Sequence, residues 1–354
     1  VLRVRLHLLH RADVHPAAGI IHAVNANRAL LVVGAAILIA LPFVASTYVL
    51  HLVIQILIWA FIYTAWSLMG RFGFVSFGHG AFMGLGAYIP ALLWTYWGLT
   101  PWLGIPLAVA ASVLLAVIVG YPCFARRVVG HYFALVTLAL SQVVLLSLVA
   151  AREITGGSLG FTQKAVGHSW YALQFPEKGY FYGIAVLLWL VGLVIWQRID
   201  RSISREALEA IGEDEDAAAA VGIDVMHQKM RVTMISAALT ALGGAIYGQY
   251  VMYLNPETVS GITVSLQIVF AAIAGGVYSM LGPSVGALLT LALTEGLRVW
   301  FGTEFIGAAN TIYGILLVLC IIFMPQGVMG ALQGIKLRRP PLGKPAEAAK
   351  RATT

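Results

Sequence analysis

Charged side chains are scarce in this chain. Asp, Glu, Lys and Arg together make up 10% of its 354 residues, whereas hydrophobic residues make up 60%. Soluble globular domains carry about 25% charged residues, so the composition excludes an ordinary soluble fold. The mean hydropathy of +0.87 agrees, and the sequence predicts a polytopic membrane protein.

Cysteine is also rare. Cys123 and Cys320 are the only two cysteines, and both fall within or beside apolar runs that lie far apart in the sequence. We expect both to be small, buried hydrophobic side chains, and we expect no disulfide.

Sequence motifs for catalysis are missing as well. No G-x-x-x-x-G-K-[ST] phosphate-binding loop occurs, because the one Gly-Lys pair, Gly343–Lys344, lies near the C-terminus and precedes Pro345. The sequence contains no His-Cys metal cluster and no nucleophile elbow. The chain is therefore predicted not to be an enzyme and to bind no metal or cofactor. If ATP drives this protein, another chain is the ATPase.

Long apolar runs make up most of what is present. A helix needs roughly 20 apolar residues to cross a bilayer, and ten runs approach or exceed that length. They predict an all-α polytopic membrane protein with about ten transmembrane helices, near residues 29–47, 48–69, 76–97, 101–121, 130–150, 180–198, 229–252, 264–281, 283–301 and 307–324.

The distribution of basic residues predicts the orientation of these spans. If the N-terminus lies inside, all but four of the 22 Lys and Arg residues fall on the cytoplasmic side, which follows the positive-inside rule. The net charge of +7 therefore reflects topology and does not indicate binding to nucleic acid. The four basic residues on the outer side are Arg152, Lys164, Lys178 and Arg298.

The same topology divides the chain into three parts. Residues 1–28 form a cytoplasmic N-terminal segment, and residues 29–325 form the transmembrane domain with an outer loop at 151–179. Residues 326–354 form a basic cytoplasmic tail, which we expect to be disordered because it has little to bury.

Glycine is concentrated in residues 70–88, GRFGFVSFGHGAFMGLGAY. Gly80 and Gly84 stand four residues apart, a spacing that lets a second helix approach closely in the membrane. The alternative is a broken or re-entrant element lining a path, because Phe-Gly-His-Gly at 77–80 is poor helix sequence and irregular backbone at membrane depth needs protein or water to satisfy it. His79 could contact substrate or be a hydrogen-bonded structural histidine.

Polar residues inside predicted spans are the candidates for a substrate path. Such side chains usually face the interior of a helix bundle rather than lipid. The residues that we expect on the path are Gln55, Ser76, His79, Gly80, Gln249 and Gln267.

Acidic residues are concentrated in one polar stretch, residues 200–224, which holds eight of the fifteen in the chain. From Arg205 to Val221 there is no proline and alanine dominates, which predicts a helix, and Gly222 is placed to end it in the left-handed conformation. The expected apolar side comprises Ala207, Leu208, Ala210, Ile211, Ala218 and Val221, and the charged side comprises Glu209, Glu213, Asp214, Glu215 and Asp216.

The sign of this charge bears on the function of the helix. A surface helix that binds anionic lipid carries Lys and Arg on its polar face, whereas this one is acidic. We therefore expect it to dock into a basic groove of a soluble partner, the alternative being a solvated connector between spans.

Four separated strings in this sequence resemble one family: GRFGFVSFGHGAFMGLGAY, ITGGSLGF, ALEAIGEDEDAAAAVGID and AGGVYSMLGPSVGALL. ISAALTALGGAIYGQYVMYLNPE (235–257) is also similar to that family. It comprises the LivM-type permease subunits of ABC importers for branched-chain amino acids, and the resemblance covers roughly residues 50–330. It implies the architecture shared by ribose and branched-chain amino acid permeases, with about ten helices per subunit.

The resemblance also implies a function and a set of partners. The chain would move branched-chain or other hydrophobic amino acids across the bacterial inner membrane by alternating access, with both termini cytoplasmic. Its partners would be a LivH-like second permease, two LivG/LivF-like ATPase subunits that use ATP and Mg, a periplasmic substrate-binding protein and membrane lipid, with no nucleic acid.

The resemblance implies residues for ATPase coupling. Asp216-Ala217-Ala218, followed three residues later by Gly222, is similar to the E-A-A-x-x-x-G loop of importer permeases. Asp216 replaces Glu, and Gly212 stands where relatives usually carry Arg. The coupling helix is predicted at about 206–222, with contacts from Glu206, Leu208, Ile211, Glu213, Asp214, Glu215, Asp216, Ala217, Ala218 and Gly222.

Other functions stay open at this point. A permease of the same superfamily could carry urea, short amides or aromatic acids. An ion-coupled secondary transporter is the alternative from another class, although such proteins usually bury ionisable residues near the bilayer midplane and none of the ten spans has one at its centre. A membrane-embedded enzyme is a third alternative.

Overall fold

The structure is a computed structural model that describes residues 34, 36, 38–128, 130–301, 311–312, 314–315, 318–319, 322–324 and 327–333. The chain divides into two compact units, Val1–His51 and Leu52–Thr354. In the first unit, residues 38–44 are helical. The N-terminal segment predicted at 1–28 lies outside the described residues.

Helices account for nearly all regular structure in the described part of the chain. Their bounds are α1 Thr47–Gly70, α2 His79–Trp97, α3 Pro101–Ala125, α4 Gly130–Ala150, α5 Arg152–Thr155, α6 Lys178–Asp200, α7 Ile203–Glu213, α8 Glu215–Ala220, α9 Val225–Val251, α10 Pro256–Val259, α11 Gly261–Gly275, α12 Gly282–Phe301 and α13 Gly327–Gln333. α13 lies within the segment predicted as a tail, and the tail beyond residue 333 lies outside the described residues.

Six helical stretches of the described residues are long and apolar enough to cross a membrane: α1, α3, α4, α6, α9 and the run Pro256–Gly275. α2 and α12, with 19 and 20 residues, occupy two more of the predicted spans. The predicted spans at 29–47 and 307–324 rest largely on residues outside the described ranges. The prediction of an all-α polytopic membrane protein is confirmed.

The helices differ in how much of their surface the bundle covers. In α1, 78% of the most apolar 18-residue window is buried, against 28% in α3 and in α4. α1 is therefore an interior helix. α3, α4 and α6 expose large apolar side chains such as Leu114, Val143 and Leu187, which is expected of helices that face lipid.

Small residues allow α2 to lie close to its neighbours. A Cβ atom added to Gly86 would lie within 3.0 Å of the carbonyl oxygen of Ala241 on α9, and one added to Gly244 would lie equally close to Met83. A Cβ atom on Gly80 would come to 2.5 Å from the carbonyl oxygen of Gly261. The predicted close packing of the glycine-rich segment is confirmed from His79 onward.

The irregular backbone of the alternative interpretation is present in the residues just before α2, and the path-lining role stays a prediction. Residues 71–78 are not helical, and protein groups satisfy their backbone. Trp66 Nε1 donates to the Ser76 carbonyl at 2.8 Å, and the Phe77 N–H donates to Thr137 Oγ1 at 3.0 Å. α2 thus begins at His79 rather than at residue 76, because Ser76 accepts a hydrogen bond from the Gly78 N–H and holds the chain in a turn.

The loop after α4 is compact and tied to the end of α9. Strand β1, Phe161–Thr162, pairs antiparallel with strand β2, Tyr253–Leu254. Gly160 has φ +69°, and a Cβ atom there would lie within 3.0 Å of the Leu254 carbonyl oxygen. The string ITGGSLGF, residues 154–161, therefore leads through a tight glycine turn into β1.

One cysteine can be compared with its prediction. Cys123, near the end of α3, is buried, as expected. Cys320 lies outside them.

Candidate functional site

The predicted coupling helix is two helices in the structure. α7 ends at Glu213, α8 begins at Glu215, and Asp214 between them is extended, with φ −156° and ψ 113°. The prediction of one continuous helix over about 206–222 was wrong. We call the two helices and the residue that joins them, residues 203–220, the α7–α8 element.

The break has a local cause. The Asp214 carboxylate accepts hydrogen bonds from the backbone N–H groups of Asp216 and Ala217, at 2.9 and 3.0 Å. An aspartate in this role is an N-cap, and the same side-chain bonds compete with a continuous helix. Gly222 follows α8 with φ +91°, so its predicted left-handed conformation is confirmed.

The apolar side of the α7–α8 element faces the protein interior. Ala207, Leu208, Ile211 and Ala218 are buried, as the pattern predicts. Val221, the residue after the end of α8, is 78% exposed and does not belong to that side. Leu208 and Ile211 therefore pack inside this chain rather than offering surface to a partner.

The acidic side of the element divides into paired and exposed groups. Glu215 pairs with Lys229, and Asp216 pairs with Arg127 at 2.7 Å. Glu206, Glu213 and Asp214 are exposed and form no ion pair within the described part of the chain. Of the predicted coupling residues, these three together with Asp216, Ala217 and Gly222 are exposed and available to a partner.

Gly212 lets two segments of the chain pack closely together. A Cβ atom at this position would lie 2.6 Å from the carbonyl oxygen of Phe72. The absence of a side chain lets α7 lie directly on residues 71–78, the non-helical segment that leads into α2. The absence of a side chain at position 212 is therefore a packing feature of this chain.

A buried arginine joins the same segment to the base of α7. Arg71 Nη1 is 3.0 Å from Asp200 Oδ1 at the end of α6, and its guanidinium lies over the rings of Trp196 and Phe72. Asp200 is also 3.7 Å from Arg205. Burial lowers the pKa of Arg71 to about 10, an effect that the Asp200 carboxylate opposes, so the guanidinium is charged at neutral pH.

The α7–α8 element and residues 72–75 border a cleft of about 570 Å³. One wall is aromatic and the other is the acidic break of the α7–α8 element, with basic side chains between them. The main lining residues are Phe72, Phe74, Phe124, Phe133, Glu213, Asp214, Glu215, Arg127 and Lys229.

His79 is fully buried at the start of α2. Its Nε2 is 2.7 Å from Ser236 Oγ on α9, and the Ser236 hydroxyl donates to the Ala65 carbonyl on α1 at 2.7 Å. Because that hydroxyl has one proton, His79 Nε2 must be the donor to Ser236. Its Nδ1 has no partner among the described residues. This arrangement fits a hydrogen-bonded structural histidine.

A second polar contact lies beside it. The Gly80 N–H donates to Ser265 Oγ on α11 at 3.0 Å, and Ser265 Oγ lies 2.9 Å from Ser141 Oγ on α4. The first turn of α2 is thus held by serines from three other helices, Ser236, Ser141 and Ser265. Sequence analysis missed all three, because serines are common in membrane helices and nothing local distinguishes these.

The remaining path candidates lie on four different segments of the chain. Ser76 is buried in the non-helical segment, and Gln55 is half-buried on α1. Gln267 Nε2 donates to the Tyr63 hydroxyl at 3.2 Å. Gln249 is fully buried, and neither polar atom of its amide has a partner in the described residues. Ser76, His79 and Gly80 thus lie together at the start of α2, and the three glutamines lie on α1, α9 and α11.

The sequence of this chain matches a known protein family. Residues 48–325 match a family model described as branched-chain amino acid transport system / permease component. The match covers more than half of the chain, including α1, the α7–α8 element and α12.

The chain belongs to this family.

Two LivM proteins are similar to this chain. It is 29% identical over 285 residues to the high-affinity branched-chain amino acid transport system permease protein LivM of Salmonella typhimurium, and 28% identical over 284 residues to LivM of Escherichia coli K12. Each alignment covers 74% of this chain and 65% of the relative, so the match spans slightly less than two thirds of either LivM.

The other type of branched-chain permease is also similar. LivH of Escherichia coli K12 is 26% identical over 276 residues, which cover 74% of this chain and 87% of LivH. No solved structure matches the chain. Family membership and the apolar helices agree that the chain is a multi-pass membrane protein.

In the residues that the structure describes, no three His, Cys, Asp or Glu side chains are grouped so that they could hold a metal ion. The contacts around the α7–α8 element are packing contacts, ion pairs and hydrogen bonds. Such contacts can transmit movement between the element and the helix bundle.

Proposed function

We propose that this protein is a permease subunit of an ATP-binding-cassette importer that carries branched-chain or other hydrophobic amino acids across the bacterial inner membrane. The observation that carries the proposal is the family match over residues 48–325. Relatives named as branched-chain amino acid permeases, LivM and LivH, support it. The chain itself would perform no covalent chemistry.

The partners follow from the same proposal. A LivH-like permease would pair with this subunit, and a periplasmic binding protein would deliver the cargo. Two LivG/LivF-like ATPase subunits would bind ATP and magnesium. The exposed carboxylates of the α7–α8 element, Glu206, Glu213 and Asp214, support docking into a basic groove on one of these ATPases, because opposite charges steer association.

The contacts within the chain suggest how ATPase movement would reach the membrane interior. A displacement of α7 would act directly on Phe72 through Gly212. It would act on Arg71 through Arg205 of α7 and Asp200 at the end of α6. Residues 71–78 connect this contact to His79. The hydrogen bonds from the first turn of α2 to Ser236 and Ser265 would then change together as the pathway alternates its access.

ATP-dependent uptake tests the function. The purified complex of this chain with its second permease, ATPases and binding protein is reconstituted into proteoliposomes, and leucine uptake is measured with and without internal ATP. We expect uptake only with ATP and with the binding protein present. Uptake by this chain alone under a proton or sodium gradient would instead identify a secondary transporter.

The ligand preference of the associated binding protein identifies the cargo. Thermal shifts of the associated binding protein are measured with Leu, Ile, Val, Phe and urea. We expect the branched-chain amino acids to give the largest shifts. Stabilisation by urea, a short amide or an aromatic acid alone would contradict the branched-chain assignment while leaving the permease role intact.

Charge reversal at Glu213 is expected to uncouple the importer. Glu213 is exposed beside the break in the α7–α8 element, so Glu213→Arg should place a positive charge against the basic groove of the ATPase. We expect transport per ATP hydrolysed to fall at least about ten-fold, the effect of about 1.4 kcal/mol of lost or repulsive contact.

The matched control is Glu177→Arg, at an exposed glutamate that precedes α6 at the other end of that helix. The control should retain normal coupling, and both variants should insert in the membrane at wild-type levels. An unchanged ratio of transport to hydrolysis in Glu213→Arg would contradict the docking role of the element.

A further inference from the structure

A second, smaller groove lies at the base of α7. Its volume is about 190 Å³, and it is bounded by the end of α6, the turn into α7 and the start of α9. The lining is mostly apolar, with arginines at two positions. The residues that form it are Ile195, Arg198, Ile199, Ser202, Ser204, Leu208, Gln228, Arg231, Val232 and Ile235.

An exposed apolar stripe on α6 leads to this groove. Leu187, Leu190, Val191 and Val194 are 64%, 44%, 39% and 52% exposed. They stand at positions i, i+3, i+4 and i+7, so they lie on one face of the helix, and Arg198 continues that face four residues after Val194. α6 is one of the helices long and apolar enough to cross a membrane, and this stripe is the surface that it presents to lipid.

The two arginines are exposed, and neither forms an ion pair with any described residue. By contrast, Arg71, Arg127 and Arg205 at the same end of the bundle each pair with a carboxylate. Arg198 and Arg231 come from different helices, α6 and α9, and meet at one groove. Their charge is available to an anion.

We propose that this groove binds an anionic phospholipid, with the phosphate between Arg198 and Arg231 and an acyl chain along the apolar stripe of α6. Basic pockets between transmembrane helices suit the head groups of anionic lipids. The apolar walls formed by Ile195, Ile199 and Ile235 favour a lipid over a soluble phosphate, because such an ion would gain nothing from them.

Occupancy of the groove bears on the α7–α8 element. Leu208 of α7 and Ser202, the residue before α7, are part of its lining. A bound lipid therefore fills the space between the base of α7 and the membrane helices, and holds α7 against α9. The acidic face of α7 is directed elsewhere, so the lipid and a soluble partner would use different sides of the same helix.

Lipid labelling tests the site and does not depend on transport. The protein, purified in its native assembly, is placed in phosphatidylcholine nanodiscs with a trace of phosphatidylglycerol that carries a photoactivatable acyl chain. We expect adducts on the peptide containing residues 187–199. Basic residues near an anionic surface contribute about 1 kcal/mol each, so Arg198→Gln with Arg231→Gln should reduce that labelling about 30-fold.

The control variant is Arg126→Gln, which removes an exposed arginine at the end of α3 outside the groove and should leave labelling unchanged. In the wild-type protein, an otherwise identical phosphatidylcholine probe should label these residues weakly, and millimolar inorganic phosphate should not compete. These wild-type comparisons decide the question even if the double variant fails to fold.

Three results would overturn the proposal. Equal labelling by the phosphatidylcholine probe would show that the groove does not recognise charge. Competition by inorganic phosphate would indicate a site for a soluble anion. Absence of adducts from residues 187–199, with normal labelling elsewhere, would show that a protein partner covers this face.

Discussion

Gly86→Val is expected to abolish the packing of α2 on α9 and to lower the free energy of unfolding by about 3 kcal/mol or more, at the upper end of the range for overpacked sites. A Cβ atom at this position would lie within 3.0 Å of three backbone atoms of Ala241. A backbone cannot move aside as a flexible side chain can. The helices must therefore separate, which would also strain the hydrogen bonds from His79 and Gly80 to Ser236 and Ser265.

The measurement is the folded fraction after purification, together with the midpoint of thermal or denaturant unfolding. Gly183→Val is the matched control, because Gly183 is an exposed residue of α6. A Cβ atom added there would have no neighbouring atom within 4 Å. Both substitutions replace a helical glycine by valine, so the effect of helix propensity is the same. Equal stability of the two variants would show that α2 and α9 do not lie as close as described.

Asp200→Asn is expected to destabilise the protein by leaving the Arg71 guanidinium buried without its carboxylate. Breaking a fully buried ion pair costs about 3–5 kcal/mol. The side chain of Arg71 is 5% exposed and that of Asp200 is 30% exposed, so we expect a smaller loss of about 2 kcal/mol. The segment 71–78 should loosen as a result, and coupling between ATP hydrolysis and transport should weaken with it.

Two comparisons separate this effect from a general loss of surface charge. Asp216→Asn breaks the Arg127–Asp216 pair, whose side chains are 73% and 82% exposed, and should leave the unfolding midpoint unchanged because exposed pairs contribute little. Arg71→Met in the Asp200→Asn background should recover part of the lost stability, because it removes the buried charge. Strict additivity of the two substitutions would contradict a direct interaction.

Hydrophobic runs predicted the helices well because a membrane helix must satisfy its own backbone and bury its side chains in lipid or in other helices. Eight of the ten predicted spans coincide with helices α1, α2, α3, α4, α6, α9, α11 and α12. Their ends were harder to predict. α2 begins at His79 because Ser76, Trp66 and Thr137 stabilise a non-helical segment before it. Thr137 is 60 residues from Phe77, the residue that donates to it.

The α7–α8 element shows where local propensity fails. Alanine and glutamate favour a helix throughout residues 205–221, yet Asp214 interrupts it by capping α8 with its own carboxylate. The pattern correctly identified Leu208 and Ile211 as apolar-side residues. The family resemblance implied that both contact the ATPase, whereas the structure buries them within the chain. A repeat of apolar positions reveals a buried face but not what covers it.

The sequence by itself determined that this is a polytopic helical membrane protein with an acidic, polar segment between two spans, because charge content and apolar length depend only on composition and order. Only the tertiary structure decided which residues contact that segment. Arg71 meets Asp200 across 129 positions and Gly212 meets Phe72, and the meeting of Arg198 and Arg231 at one groove likewise depends on how α6 and α9 pack. Pairings between distant segments are set by the packing of whole helices, which no local pattern in the sequence specifies.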